Sequence, residues 1–132
     1  RTGLPVVACA TTRDDGALLS GEPLAEAARA LLDLPDAPSA VGVNCVPARR
    51  LAASLAPLAS ACPGLPLAAY GNTGLPLDEA SGLFEEPISP EEYAVVAERW
   101  LALGARLVGG CCGTTAQHVS ALAGRLRTPA KS

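Results

Sequence analysis

Apolar positions along this chain follow two alternating patterns. Short continuous runs stand at 4–10 (LPVVACA), 40–44, 65–70 and 105–108. Their length and β-branched content predict buried strands. Between them the apolar residues step by three and four, as on one face of a helix. Pro23 to Leu34 carries Leu24, Ala27, Ala28, Leu31 and Leu32, with Pro23 suited to the first helical position. Pro47 to Ala61 carries Leu51, Leu55 and Leu58, with Pro57 inside it, where a proline is expected to kink or shorten the helix. Ser89-Pro90-Glu91-Glu92 reads as a capping box: Ser89 accepts from the third helical N–H and Glu92 reaches back. Tyr93, Val96, Ala97, Trp100 and Leu101 then form a core stripe, and Gly104 ends the helix in a left-handed turn. Thr114 or Thr115 caps a last helix with the face Val119, Leu122, Ala123 and Leu126.

Residues 11–21 read as a loop, Pro63-Gly64 as a turn, and 71–89 as a long loop of the kind that often carries function. Strand and helix therefore alternate four times. That predicts an α/β fold with a parallel sheet and right-handed crossovers, either an open doubly wound sheet or half of an eight-fold βα (TIM) barrel. Half a barrel leaves two strand edges and the inner sheet face uncovered. A missing N-terminal half-barrel or a second copy of the chain is expected to cover them. The domain is read as 1–127, with 128–132 as a polar tail.

Composition narrows the partners. The chain has 132 residues, 49% hydrophobic and 17% charged, with a net charge of -3, as in a globular domain. It has no basic cluster to bind nucleic acid and no apolar run long enough to span a membrane. It starts at Arg1 and contains no methionine, so it is expected to be a piece of a longer protein. No phosphate-binding glycine loop is visible. Five widely spaced cysteines do not suggest a disulfide framework but a reduced, cytoplasmic protein with metal-binding or reactive thiols.

The chemistry concentrates at two predicted strand ends. Cys45 follows Val41-Gly42-Val43-Asn44, and Cys111-Cys112 stand between Gly110 and Gly113. With one strand between them, side chains leaning inward could meet. Neighbouring residues of a regular strand point to opposite faces, so both Cys111 and Cys112 can reach one ion only if the glycines break the pleat. Three thiolates leave one tetrahedral position of a zinc ion open. A centre so charged is a poor generator of hydroxide but suits a fourth, substrate thiolate, which it keeps deprotonated and nucleophilic. Alkyl transfer to a thiol is the expected reaction. The rival reading is thiol–disulfide exchange by Cys111-Cys112, or by Cys45 with one of them. Cys9 and Cys62 are read as structural, His118 as a solvated side chain off the apolar face, and Asp14, Asp15, Glu85 and Glu86 as loop solvation.

Gly109-Gly110-Cys111-Cys112-Gly113-Thr114-Thr115, with Gly42-Val43-Asn44-Cys45 upstream and Asn72-Thr73-Gly74-Leu75-Pro76 between, resembles the homocysteine S-methyltransferase family. The Asn-Thr-Gly-Leu-Pro stretch is most similar to the homocysteine-binding module of cobalamin-dependent methionine synthase. The resemblance covers nearly the whole chain, as strands five to eight of a TIM barrel. It implies zinc held by Cys45, Cys111 and Cys112, homocysteine as the thiol substrate, a separate methyl donor, and methionine as product. Asn72 matches a loop asparagine whose amide oxygen can take the open zinc position before substrate arrives; a turn-forming role for an Asn before Gly is the alternative. Asn44 and Gly110, within the two motifs, are assigned with it to substrate binding. Gly71 and Ala116 stand where the family usually or often has Pro. The family's N-terminal half, with its acidic contacts to the substrate amine, is absent. A non-catalytic zinc- or thiol-binding half-barrel that needs a partner chain is therefore kept beside the enzyme reading.

Overall fold

The computed structural model describes residues 3–74, 76–78, 83–84 and 87–127. Four of the apolar runs become strands β1 (Val7–Ala10), β2 (Ala40–Pro47), β3 (Leu67–Asn72) and β6 (Ala105–Gly110). They form one parallel sheet in the order β1-β2-β3-β6. Between and after them run α1 (Leu24–Leu32), α2 (Ala48–Ala61), α3 (Pro90–Ala102) and α4 (Ala116–Arg127). Each helix packs on the next, α1 on α2, α2 on α3, α3 on α4. The predicted alternation holds.

One sheet face supplies Val41, Val43, Leu67 and Ala69, which are closed over by Leu51, Leu55 and Leu58 of α2 and Ala97 and Trp100 of α3. All three leucines are fully buried. Each is worth about 2 kcal/mol in water-removed area. The parallel register puts Val7 and Cys9 of β1, Asn44 of β2, Tyr70 of β3 and Leu107 of β6 on the opposite face. None of these five is buried, and Val7 and Leu107 keep 43% and 37% of their surface exposed. Small residues, Gly42 and Ala68, fill the middle of that face: a Cβ on Gly42 would lie 2.6 Å from the Ala68 Cβ. A parallel strand normally has both faces covered, so the open face and the edges β1 and β6 match the expectation for a half-barrel.

Several boundaries move. β2, β3 and β6 each run two or more residues past their apolar cores, so that Cys45, Gly71, Asn72, Gly109 and Gly110 lie within strands. Backbone pairing, not side-chain hydrophobicity, extends them. The segment expected to be a plain loop holds two short antiparallel strands, β4 (Pro76–Asp78) and β5 (Leu83–Phe84). Pro57 does not shorten α2, which continues to Ala61. Pro57 and Ala53, the residue whose carbonyl loses its partner, both lie on the exposed side of that helix, where water can replace the bond. Pro23 sits at the N-cap of α1 rather than inside it.

The capping box at α3 is half formed. Ser89 Oγ accepts from Glu92 N at 3.1 Å, but the Glu92 carboxylate pairs with Arg49 of α2 at 2.9 and 3.1 Å instead of reaching back. A charged partner outcompetes a backbone N–H for that carboxylate. Gly104 ends the helix region at φ 99, as expected. The face of α4 is rotated: His118 and Leu122 are buried, whereas Val119 and Leu126 are 50% and 45% exposed. The polar tail 128–132 and the residues Glu85 and Glu86 lie outside the described residues.

Candidate metal centre

Cys45 stands where β2 leaves its regular register with β3, between Asn44 and Pro47. Among the described residues it is the one non-glycine with positive φ, at 58°. A left-handed L-residue costs on the order of 1–2 kcal/mol, and such strain persists only where neighbours enforce it. Asn72, buried on the adjacent strand, supplies the restraint. Its Nδ2 donates to the Cys45 carbonyl at 2.9 Å. Its Oδ1 accepts from Gly74 N at 3.0 Å. The turn-forming alternative for Asn72 is therefore present in the structure, and the side chain also holds the cysteine's backbone.

Cys111 and Cys112 follow β6 in a tight turn. Cys111 N donates to Gly71 O at 2.9 Å, and Thr73 N donates to Cys112 O at 3.1 Å, so the pairing with β3 continues through both cysteines. The turn closes when Thr114 N and Oγ1 both donate to the Cys111 carbonyl, at 3.1 and 2.7 Å. Gly113 is in the left-handed region at φ 78, and a Cβ there would lie 2.0 Å from Thr73 Oγ1. At Gly110 a Cβ would lie 2.1 Å from Thr114 Oγ1. These two glycines provide the predicted break in the pleat. Beneath them the Tyr93 hydroxyl sits 2.9 Å from Gly71 O and 2.7 Å from Gly109 O, bridging β3 and β6. The helical spacing marked Tyr93 as core but did not indicate this second role.

The three cysteines converge. Their sulfurs all lie within 4.8 Å of one another, and the Cys45 and Cys112 sulfurs are 3.3 Å apart. Tetrahedral zinc–thiolate bonds of about 2.3 Å set sulfurs about 3.8 Å apart. The donor set fits a metal: three soft sulfurs, from one bulged strand and one glycine turn, with Cys112 exposed and Cys45 and Cys111 half-buried. The thiols differ in acidity. Cys45 is lowered, chiefly by the hydrogen bond from Cys111. Cys111 is pushed up to about 11, first by burial and then by its bond to Cys45. Asn44 is half-buried on the open sheet face, in register with Tyr70, and Gly110 is exposed at the end of β6, in register with Gly71.

The remaining candidates separate. His118 is not solvated: it is 7% exposed, with Nε2 3.1 Å from the Ile88 carbonyl and Nδ1 3.1 Å from Thr115 N. Its position, three residues after Thr115, is the place from which a side chain can reach back to an N-cap. That spacing was the signal available in the sequence. Asp14 pairs with Arg50, and Asp15 with Arg13 at 3.1 Å, so both acids are surface ion-pair partners. Cys62 is buried at the end of α2, and Cys9 is exposed on the edge strand β1. Gly71 is packed closely: a Cβ would lie 3.0 Å from the Ala48 Cα and 3.0 Å from Trp100 Cη2.

Residues 1–126 match the homocysteine S-methyltransferase family. The chain belongs to that family. It is 36% identical over 118 residues to a homocysteine S-methyltransferase of Escherichia coli, covering 87% of this chain and 37% of that protein. It is 32% identical over 121 residues to a methionine synthase of Mycobacterium tuberculosis, covering 91% of this chain and 10% of that protein. The metallated crystal form of the Escherichia coli homocysteine methyltransferase MmuM superposes with a TM-score of 0.70 at 31% identity, over 94% of this chain and 36% of that one. Members of this family therefore share the fold seen here, and this chain spans a little over a third of the Escherichia coli enzyme. Among the described residues no helix is long and apolar enough to cross a membrane.

Proposed function

We propose that Cys45, Cys111 and Cys112 hold a zinc ion and that the chain is the metal-binding half of a cytoplasmic enzyme that methylates homocysteine to methionine. The observation that carries this reading is the convergence of three sulfurs within 4.8 Å. When bound, zinc(II) supplies the charge that keeps a substrate thiol deprotonated at neutral pH and held as a fourth ligand. The chain's own residues prepare for that. Asn72 fixes the Cys45 backbone, and Gly110 and Gly113 let the turn carrying Cys111 and Cys112 close toward it. Asn44, on the open sheet face, and Gly110, exposed at the end of β6, are assigned to the thiol substrate, while Asn72, whose amide is bonded to Cys45 O and Gly74 N, acts through the cysteine backbone. In the reaction, a new bond forms from the homocysteine sulfur to the methyl carbon as the donor's bond to that carbon breaks. The electron pair of the broken bond leaves with the donor.

Contacts to the methyl donor and to the homocysteine amine are expected from the half of a barrel that this chain does not contain. An N-terminal half-barrel would provide them; a second copy of the chain would cover the same open face. Without that complement the chain binds metal but transfers little or no methyl. A second reading, thiol–disulfide exchange, is favoured by the 3.3 Å contact between Cys45 and Cys112.

Zinc content of the reduced chain, measured with its oligomeric mass, separates the two. About one zinc per chain, lost in Cys111→Ser, is expected for a three-thiolate site. A chain that takes up no zinc and accumulates a Cys45–Cys112 disulfide would sink the methyltransferase reading in favour of the redox one.

A further inference from the structure

His118 is a buried titratable side chain that the metal reading leaves unused. Its ring nitrogens are assigned by their partners. Thr115 N can only donate, so Nδ1 accepts, at 3.1 Å. The Ile88 carbonyl can only accept, so Nε2 carries the hydrogen and donates, at 3.1 Å. The Nδ1 bond caps the start of α4. The Nε2 bond does something else: it ties α4 to the return end of the long segment between β3 and α3.

That tie leads to the cysteines by consecutive backbone bonds. Ile88 N donates to Thr73 O at 2.8 Å, and Thr73 N donates to Cys112 O at 3.1 Å. Thr73 is itself buried, and its Oγ1 occupies the space that the missing Cβ of Gly113 leaves open. The chain of contacts is His118 to Ile88, Ile88 to Thr73, Thr73 to the turn carrying Cys111 and Cys112. The ring also stands edge-on to Tyr93 at 5.6 Å, and the Tyr93 hydroxyl bridges the strands below the same turn.

We propose that His118 is a positioning residue for the metal centre: through its Nε2–H to Ile88 it holds Thr73 against Cys112 and so sets where the exposed sulfur stands. This rests on the three-thiolate reading. Partners hydrogen-bonded directly to a ligand change metal affinity by about 10- to 100-fold when lost, and His118, two contacts further out through Ile88 and Thr73, belongs at the low end.

Two substitutions divide the ring's roles. His118→Asn puts an amide oxygen near the place of Nδ1 and leaves nothing at Nε2. His118→Gln puts an amide nitrogen near Nε2 and gives up Nδ1. The full chain of each variant is titrated with cobalt(II) in place of zinc. Affinity and the cobalt absorption envelope are read beside the thermal midpoint. His118→Asn is expected to bind cobalt about tenfold more weakly, with an altered envelope, while His118→Gln stays near the parent. That order should hold whichever variant melts lower. Cobalt affinities that are unchanged in both variants, or that simply follow their melting temperatures, overturn the positioning role and leave the metal site standing. A parent chain that takes up no cobalt overturns both readings together.

Discussion

At the end of β2 a left-handed backbone position is filled by Cys45 itself, at φ 58, whereas at the end of β6 it is filled by Gly113, at φ 78, next to the two cysteines rather than at one. Both ends must turn a side chain out of the strand's alternation and toward the same point. The β6 end does so with glycine, at little conformational strain but with crowding so close that a Cβ would collide with Thr73. The β2 end keeps the cysteine itself at the strained position and restrains it with a buried amide from Asn72. Strain at a cysteine and permissiveness beside one are two ways of reaching one geometry, and they respond differently to substitution.

The largest effect is expected at the permissive end. Gly113→Ala must combine positive φ with a 2.0 Å approach to Thr73 Oγ1. The left-handed alanine alone costs about 1–2 kcal/mol, and the collision adds to it. A urea midpoint lowered well beyond that of Asn72→Ala, with metal uptake lost, is the expected result; a near-parental midpoint would contradict the crowding. Asn72→Ala removes the partner of the Cys45 carbonyl and should cost about 1–3 kcal/mol, because polar backbone groups are left without bonds. Metal affinity should fall with it, read by competition against a zinc chelator.

Cys45→Gly sharpens the comparison most directly. It should bind no metal yet raise the metal-free chain's stability by up to about 1 kcal/mol over Cys45→Ala, since glycine accepts φ 58 without strain. Equal stability of the two variants would mean that the β2 end is not strained. The smallest effect lies away from both ends. Glu92 is held below the usual carboxylate range, first by its hydrogen bonds from Arg49. Its folded value is depressed, so its contribution is present at neutral pH and lost as pH falls through the lowered folded value. Glu92→Gln should therefore flatten the acid side of the stability–pH curve slightly and leave neutral metal uptake unchanged.

Much of this was readable along the chain. Four strand–helix units, the Ser89 cap and the left-handed Gly104 follow from local spacing and turn chemistry, and the meeting of Cys45 with Cys111 and Cys112 from their places at predicted strand ends and from the family resemblance. His118 faces inward although an apolar-face count treats a polar side chain as outward-facing, because its partner Ile88 lies 30 residues away. Glu92 was read as half of a local cap because Arg49, 43 residues distant, is invisible to local pattern. The length of β2 was underestimated because its last residues are held by pairing with β3 and by Asn72 rather than by their own hydrophobicity.

By itself the sequence determined the parallel βα order and the soft donor set, since these depend on periodicity and residue chemistry within a few positions. Only the tertiary structure decided that Cys45 is strained, that Asn72 restrains it, that Tyr93 bridges β3 and β6, and that His118 faces inward. Each of those depends on which carbonyl or N–H a distant segment presents, and hydrogen-bond partners brought together by folding leave no period in the chain.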